Sequence, residues 1–178
     1  MQGLQRFAIL TGLGAAGLLC QAADVRAFGP QNVNYAQYKT FRILPPKGMT
    51  KSGIVEGDPR TAPPIIKSVR AQLVKKGLTE AAEGASADLD VTSFAVAEPV
   101  PQIEALIFAS PNADFSTFTS TIGRSNWKGS LMVNMIDNKT NKSIWAGIVS
   151  KALGKADRVD KDIDKAATDL FKKYPLKN

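Results

Sequence analysis

With 178 residues and a 44% apolar composition, the chain suits one compact domain with a core of its own. Its 23 Lys plus Arg against 16 Asp plus Glu give a formal charge of +7, spread along the chain, which favours contact with anionic surfaces. Histidine is absent and the single cysteine, Cys20, lies in a leader, so the folded part holds no His general base, no Ser-His-Asp or Cys-His nucleophile, no Cys/His zinc cluster and no disulfide. Carboxylate, Lys, Tyr and Ser-Lys chemistry stay open.

Residues 1–27 open with Arg6 and the free amine, run without charge from Phe7 to Cys20, and close on the small, mixed segment QAADVRA. That is the anatomy of a secretory signal peptide, and its apolar core is short for a span of about 20 residues. Cleavage is expected after Ala23 or Ala27, with Val25 and Ala27 in the minus-three and minus-one positions of the latter. Gly17, Leu18 and Leu19 are a poor lipoprotein signal ahead of Cys20. The expectation is therefore a periplasmic protein, with lipid anchoring through Cys20 as the alternative and the membrane a partner only in that case.

The domain is expected over 28–178. After an irregular lead-in, Tyr38, Thr40, Arg42 and Leu44 alternate with Phe41 and Ile43, which predicts a strand closed by Pro45 and Pro46. Residues 47–62, rich in Gly, charge and turn formers, read as an exposed connection. Ile65, Ile66, Val69 and Leu73 then share a helical face, predicting a helix from about Pro63 to Lys76, capped by Thr61 and stopped by Gly77 and Leu78. Its basic outer face reads as solvated.

A second strand follows, with Leu89, Val91, Ala95 and Ala97 on one side and Asp90, Thr92, Phe94 and Val96 on the other, ended by Pro99. Asp88 and Asp90 share a side by period two, and solvated acids at a strand mouth explain them better than a paired-carboxylate site. Residues 99–125 carry three Phe and many Ser and Thr without a sustained period. They form either a short edge strand around Phe115 to Ile122 or a loop whose aromatics cover the sheet. Binding residues concentrate on irregular segments held by a scaffold, so Phe115, Phe118, Arg124, Trp127 and Lys128 are the candidate contact residues.

Trp127 to Leu153 reads as a β-hairpin around the polar knot Asp137 to Lys142. Both strands are apolar on both faces, which places the pair in the middle of a sheet. Gly147, beside Trp145, leaves room for an indole or another backbone. Ile163, Ala166, Ala167, Leu170, Phe171 and Tyr174 predict a last helix from about Asp160 to Tyr174, capped by Asp160 and ended by Pro175.

The segments NYAQYKTFRILPP, VKKGL, ADLDVTSF, GSLMVNMIDNKTNKSIWAG and FKKYP, in that order over about 33–176, resemble the family known as domain of unknown function 4136. The specificity lies in their order, with Trp145 followed by Gly147, rather than in any one piece. The resemblance implies a bacterial envelope protein, often a lipoprotein, and brings no catalytic residues with it. The chain departs from the family in the residues before Cys20 and in its Ser/Thr-rich middle.

Other motifs dissolve on inspection. Asp160, Asp162 and Asp164 begin like a calcium loop, but Lys165 and Phe171 stand where Gly and the bidentate Glu belong, and acids near a helix start explain them. Ser125 and Lys128 spell S-x-x-K ahead of a strand rather than on a helix. Gly48 to Ser52 lacks the second glycine of a phosphate loop. The sequons at Asn138 and Asn141 are turn chemistry. Nucleic-acid binding lacks the interleaved basic and aromatic residues it needs.

The sequence thus predicts an α+β domain: an antiparallel or mixed sheet of four or five strands with two helices on one face. It predicts no catalytic residue, metal or cofactor. The functional expectation is a non-catalytic domain that binds an envelope partner or anionic envelope component. A hydrolase or transferase using carboxylates or Lys is the alternative.

Overall fold

The computed structural model describes residues 24–30, 32–50, 53–96, 129–150, 152 and 158–175. Among these residues, eight strands and two helices lie in the order β1 (Val25–Phe28), β2 (Thr40–Ile43), β3 (Lys47–Thr50), β4 (Gly53–Glu56), α1 (Ala62–Lys75), β5 (Thr79–Glu80), β6 (Leu89–Val96), β7 (Ser130–Asp137), β8 (Lys142–Val149) and α2 (Val159–Phe171). A single 3-10 turn, Tyr35–Gln37, precedes β2.

The fold is α+β with an open mixed sheet, but the sheet has eight strands where four or five were expected. Its main path is β1-β8-β7-β6-β2-β5. β2 runs parallel to both β5 and β6, β3 runs parallel to β6, and the remaining pairs are antiparallel. The extra strands are short. Residues 47–50 and 53–56, read from sequence as an exposed connection, form the β3–β4 hairpin instead, with Lys47 opposite Glu56.

The reason lies in β6, whose eight residues are longer than β2 can cover. Phe41, Arg42 and Ile43 pair with Leu89, Asp90 and Val91, and the Leu44 amide still donates to Val91 O. Pro45 and Pro46 have no amide to continue that ladder. Pairing resumes past them, with Lys47, Gly48 and Met49 opposite Phe94, Ala95 and Val96. β2 and β3 are thus one edge of β6, interrupted by two prolines.

β7 and β8 occupy the middle of the sheet, as both apolar faces of the hairpin require. Their register shifts between Met135 and Ile136, so Ile144 is the unpaired residue of a β-bulge and Trp145, Gly147 and Val149 align with Met135, Val133 and Leu131. The turn is held by Asp137, whose carboxylate accepts from the Lys139 amide at 2.8 Å, and by Asn141, which sits at φ 55° and donates to Asp137 O.

One core joins the helices to one face of the sheet. Ile65, Val69 and Leu73 of α1 and Ile163, Ala166, Ala167, Leu170 and Phe171 of α2 meet Phe41, Leu89, Val91, Leu131, Val133, Met135, Trp145 and Val149. At its centre the Trp145 ring lies 5.5 Å from Phe171 and 5.3 Å from Tyr174, which in turn meets Tyr35 edge-on at 5.6 Å. Gly147 makes the close approach possible, because a Cβ there would fall 2.5 Å from Leu170 Cδ1 and 2.9 Å from the Trp145 indole. The two helices are also tied polar to polar, Ser68 Oγ donating to Asp164 and Gln72 Nε2 to Thr168 Oγ1.

Helix ends depart from expectation in detail. α1 ends as predicted in a Schellman motif: Gly77 has φ 85°, its amide donates to Val74 O, and the Leu78 amide donates to Leu73 O while Leu78 is buried. At its start, however, Thr61 makes no side-chain cap. Its hydroxyl donates to Asp58 O, which also accepts from the amides of Thr61 and Ala62. In α2 the cap position is Arg158, and Asp160 and Asp162 lie inside the first turn, where their charge faces the positive helix end. No helix among the described residues is long and apolar enough to cross a membrane.

Candidate functional site

The densest chemistry among the described residues gathers where β2 and β6 begin and β7 ends. Asp88, Asp90 and Asp137 come together there because Leu89 pairs with Asp137 and Arg42 with Asp90. Three carboxylates so placed repel one another unless each has partners.

Each has. Asp88 Oδ2 accepts from the amides of Lys39 at 2.8 Å and Thr40 at 3.0 Å, and the Asp88 amide donates back to Thr40 Oγ1 at 2.9 Å. Asp90 takes the Arg42 guanidinium in a two-pronged pair, 2.9 Å on each oxygen, and a third bond from Asn138 Nδ2 at 3.2 Å. Asp137 Oδ2 accepts from the Tyr38 hydroxyl at 3.1 Å, while its Oδ1 takes the Lys139 and Thr140 amides. Asn138 closes the network through Ala87 O and Asp88 O.

The electrostatics follow. The Lys39 and Thr40 amides hold the Asp88 carboxyl below the usual carboxylate range. Burial works against ionisation of Asp137, yet the Lys139 and Thr140 amides and the Tyr38 hydroxyl together outweigh it and also hold it low. Tyr38 is pushed up, by burial first and then by its bond to Asp137. Asp88 and Asp137 are thus anions at neutral pH tied to backbone amides and, for Asp137, to the Tyr38 hydroxyl, suited to locking three strand ends together and unsuited to delivering a proton.

The Asp88/Asp90 pair, read from sequence as solvated acids, is instead bonded within the sheet. Asp160, Asp162 and Asp164 diverge around α2, and no group of three or more acidic side chains among the described residues has metal-holding geometry. Gly48, from the rejected phosphate loop, lies in β3. Asn138 and Asn141 sit in the β7–β8 turn as expected. The candidate contact residues Phe115, Phe118, Arg124, Trp127 and Lys128, Ser125 of the S-x-x-K pair, the suggested strand at Phe115 to Ile122 and Cys20 all lie outside the described residues.

Sequence reasoning missed Tyr38 and Arg42 as partners, since their carboxylates lie 99 and 48 positions away. It also passed over a buried polar set. Thr92 Oγ1, Ser93 Oγ, Ser130 Oγ, Asn134 Nδ2, Trp145 Nε1 and Tyr174 OH have no hydrogen-bond partner among the described residues. Asn134 was visible as the one amide inside an apolar strand.

A family model described as domain of unknown function (DUF4136) matches residues 26–176. Among solved structures, a DUF4136 family protein from Bacteroides thetaiotaomicron aligns at TM-score 0.59 and 15% identity, over 86% of this chain and 96% of that one. A PDZ domain protein from Parabacteroides distasonis aligns at 0.53 and 17% identity, over 88% of this chain and 37% of the other. A PelC variant dodecamer from Paraburkholderia phytofirmans gives 0.44 at 12% identity, covering 83% and 96%. At these identities the first two likenesses show the fold alone. No curated protein matches the chain.

Proposed function

This chain belongs to the DUF4136 family, and from that premise we propose that it is a non-catalytic binding or accessory protein of the bacterial envelope. The observation that carries the reading is the strand-end junction. With histidine and a cysteine of the folded part absent, carboxylates are the main acid-base groups left, and the three that converge are bonded to backbone amides, Arg42, Asn138 and Tyr38. A carboxylate held low by amides is a poor general acid, and one tied up in structural hydrogen bonds is a poor nucleophile.

The leader pattern of residues 1–27 supports export to the periplasm, with acylation of Cys20 as the alternative attachment. The pairing of Val25, Arg26, Ala27 and Phe28 with β8 supports a cut after Ala23, because a cut after Ala27 would take away most of β1. The mature N-terminus, read by mass spectrometry, is then expected to be Asp24. A start at Phe28 or at acylated Cys20 would contradict this.

Contact with the partner, an unidentified envelope protein or an anionic envelope component, is assigned to Phe115, Phe118, Arg124, Trp127 and Lys128. Retention of the purified mature protein on peptidoglycan, anionic vesicles or envelope extract is expected to weaken with salt and with Arg124→Ala plus Lys128→Ala. Failure to bind all three sinks the proposal. Turnover in a screen of cell-wall and phospholipid substrates, abolished by one Asp or Glu substitution, would establish the hydrolase or transferase reading instead.

A further inference from the structure

Positive charge is spread along the sequence, but folding gathers part of it at one end of the molecule. α1 and α2 run side by side in the same direction, since Ser68 bonds to Asp164 and, one turn on, Gln72 bonds to Thr168. Their carboxyl ends therefore lie together. From α1 the chain passes through Gly77 and Leu78 to Thr79, whose amide donates to Lys39 O at the entry to β2. β2 enters beside the start of β6, and β6 starts beside the end of β7 and its turn into β8. Beyond α2, Tyr174 packs on Trp145 and on Tyr35, just ahead of β2. Both helix exits, the entry to β2 and the β7–β8 turn thus share one end.

Lysines stand at every one of these places. Lys39 precedes β2, Lys75 closes α1, Lys139 and Lys142 belong to the β7–β8 turn and its exit, and Lys173 follows α2. All are exposed, and none forms an ion pair with a described residue. The acids at this end are already engaged. Asp88 and Asp137 bond to backbone amides, Asp90 takes Arg42, Glu80 takes Arg70, and Asp169 takes Lys172. Among the described residues Glu83, exposed in the loop from β5 to β6, is the acid left over.

At the other end the charges offset one another. Asp24 pairs with Arg26, Glu56 with Lys47 and Asp58 with Arg60, while Asp160 and Asp162 accompany Arg158 and Lys161 at the start of α2. The negative ends of the helix dipoles account for Lys75 and Lys173. Lys39, Lys139 and Lys142 stand on strand connections, where that explanation does not apply.

A lysine-rich end of this kind attracts anions. Its charges come from both the sheet and the helix layer, which matches a plane of phosphates better than a single polymer strand. The nearest aromatics, Tyr35, Tyr38 and Tyr174, pack in or against the core, so they offer no ring for a base to stack on. Lysine presents a point charge rather than the two-pronged fork of arginine, which suits mobile headgroups. Val74, 54% exposed in the last turn of α1, adds an apolar contact at the same end.

We propose that this end docks on an anionic lipid bilayer, with its lysines against the headgroup phosphates. The proposal rests on the envelope reading, needs no acyl chain at Cys20, and concerns a surface other than the one assigned to Phe115, Phe118, Arg124, Trp127 and Lys128.

Flotation of the mature protein with vesicles tests it. Vesicles of phosphatidylcholine with about one third phosphatidylglycerol are expected to carry the protein, and phosphatidylcholine alone is not. The partition should fall as salt is raised to about 0.5 M. At about fivefold per lysine, Lys39→Gln with Lys139→Gln and Lys142→Gln should lower the partition coefficient on the order of a hundredfold. Lys67→Gln with Arg158→Gln and Lys161→Gln removes the same charge from elsewhere and should lower it less than about tenfold. Equal losses from the two triple variants would reduce the attraction to net charge and overturn the inference. So would loss of binding through Arg124→Ala plus Lys128→Ala while the Lys39, Lys139 and Lys142 variant still binds.

Lysine acetylation reads the same surface in the unmutated protein. Anionic vesicles are expected to slow modification of Lys39, Lys139, Lys142 and Lys173 and to leave Lys67 and Lys161 unchanged. Uniform protection, or none, overturns the inference. Retention on peptidoglycan or envelope extract without vesicle binding overturns it too and leaves the envelope reading standing, whereas failure on all three overturns both.

Discussion

The two faces of the central hairpin are built from similar apolar residues but are closed in different ways. On the helix face, Trp145 and Gly147 are complementary, the small residue admitting Leu170 and the folded-over indole, with Phe171 and Tyr174 packed against the ring. On the other face, Phe94, Met132 and Ile148 form a smoother apolar row with Thr92 and Asn134 beside it. The comparison teaches that strand alternation tells where a surface is buried, whereas aromatic-glycine complementarity tells what buries it.

The largest break in this contrast is expected from Trp145→Ala. Removing the indole from the helix-side core should cost about 3–5 kcal/mol in urea unfolding, and it should loosen α2 in hydrogen exchange before the strands. Gly147→Val is the converse change, forcing side-chain atoms into Leu170 and Trp145. It is expected to cost about 1–3 kcal/mol by overpacking, read as a lowered urea midpoint.

Asp137→Ala removes the anchor that joins the hairpin turn to Tyr38 and is expected to cost about 1–3 kcal/mol at neutral pH. Its pH dependence has a defined sign. Asp88 and Asp137 are held below the ordinary aspartate range when folded, so in acid the unfolded chain binds protons first. Their contribution is complete above a pH of about 4 and is lost as pH falls below it. The difference between wild type and Asp137→Ala, followed by urea midpoints, should shrink over that range. A difference that stays constant down to the acid transition would contradict the network.

The smallest effects compare neighbouring orphaned hydroxyls on the two faces. Ser93 lies on the helix side and Thr92 on the other, both hydroxyls buried without a partner among the described residues. Thr92→Val and Ser93→Ala are each expected to be neutral or to stabilise by less than about 1 kcal/mol. A loss beyond that for either variant would show that its hydroxyl has a partner after all.

Much of this architecture was legible in the chain. α1, α2, β6 and the β7–β8 hairpin follow from residues that repeat at helical or strand spacing, and Gly77 with Leu78 announced the Schellman stop. β1, β3, β4 and β5 were not legible, because strands of two to four residues such as KGMT and GIVE have too little alternation to signal themselves. Their places are set by the edges they extend: β1 lies along β8, β3 along β6, β4 along β3 and β5 along β2. The caps assigned to Thr61 and Asp160 failed for a related reason: Pro63 and Pro64 fit the first turn wherever it starts, and Asp58 had already taken up the amides at the head of α1 through its carbonyl. At the junction, the sequence displayed Asp88, Asp90 and Asp137 but not their partners, which are backbone amides and side chains brought in from far along the chain.

The account's central claim is that Trp145 and Gly147 of β8 are the fitted pair on which α2 closes the helix-side core. Methyl nuclear Overhauser contacts from Leu170 and Met135 in the mature protein test it most directly. Contacts from the Leu170 methyls to Gly147 and the Trp145 indole, and from Met135 to its cross-strand partner Trp145, are the predicted result. A Leu170 methyl with no contact to either Gly147 or the indole would contradict it.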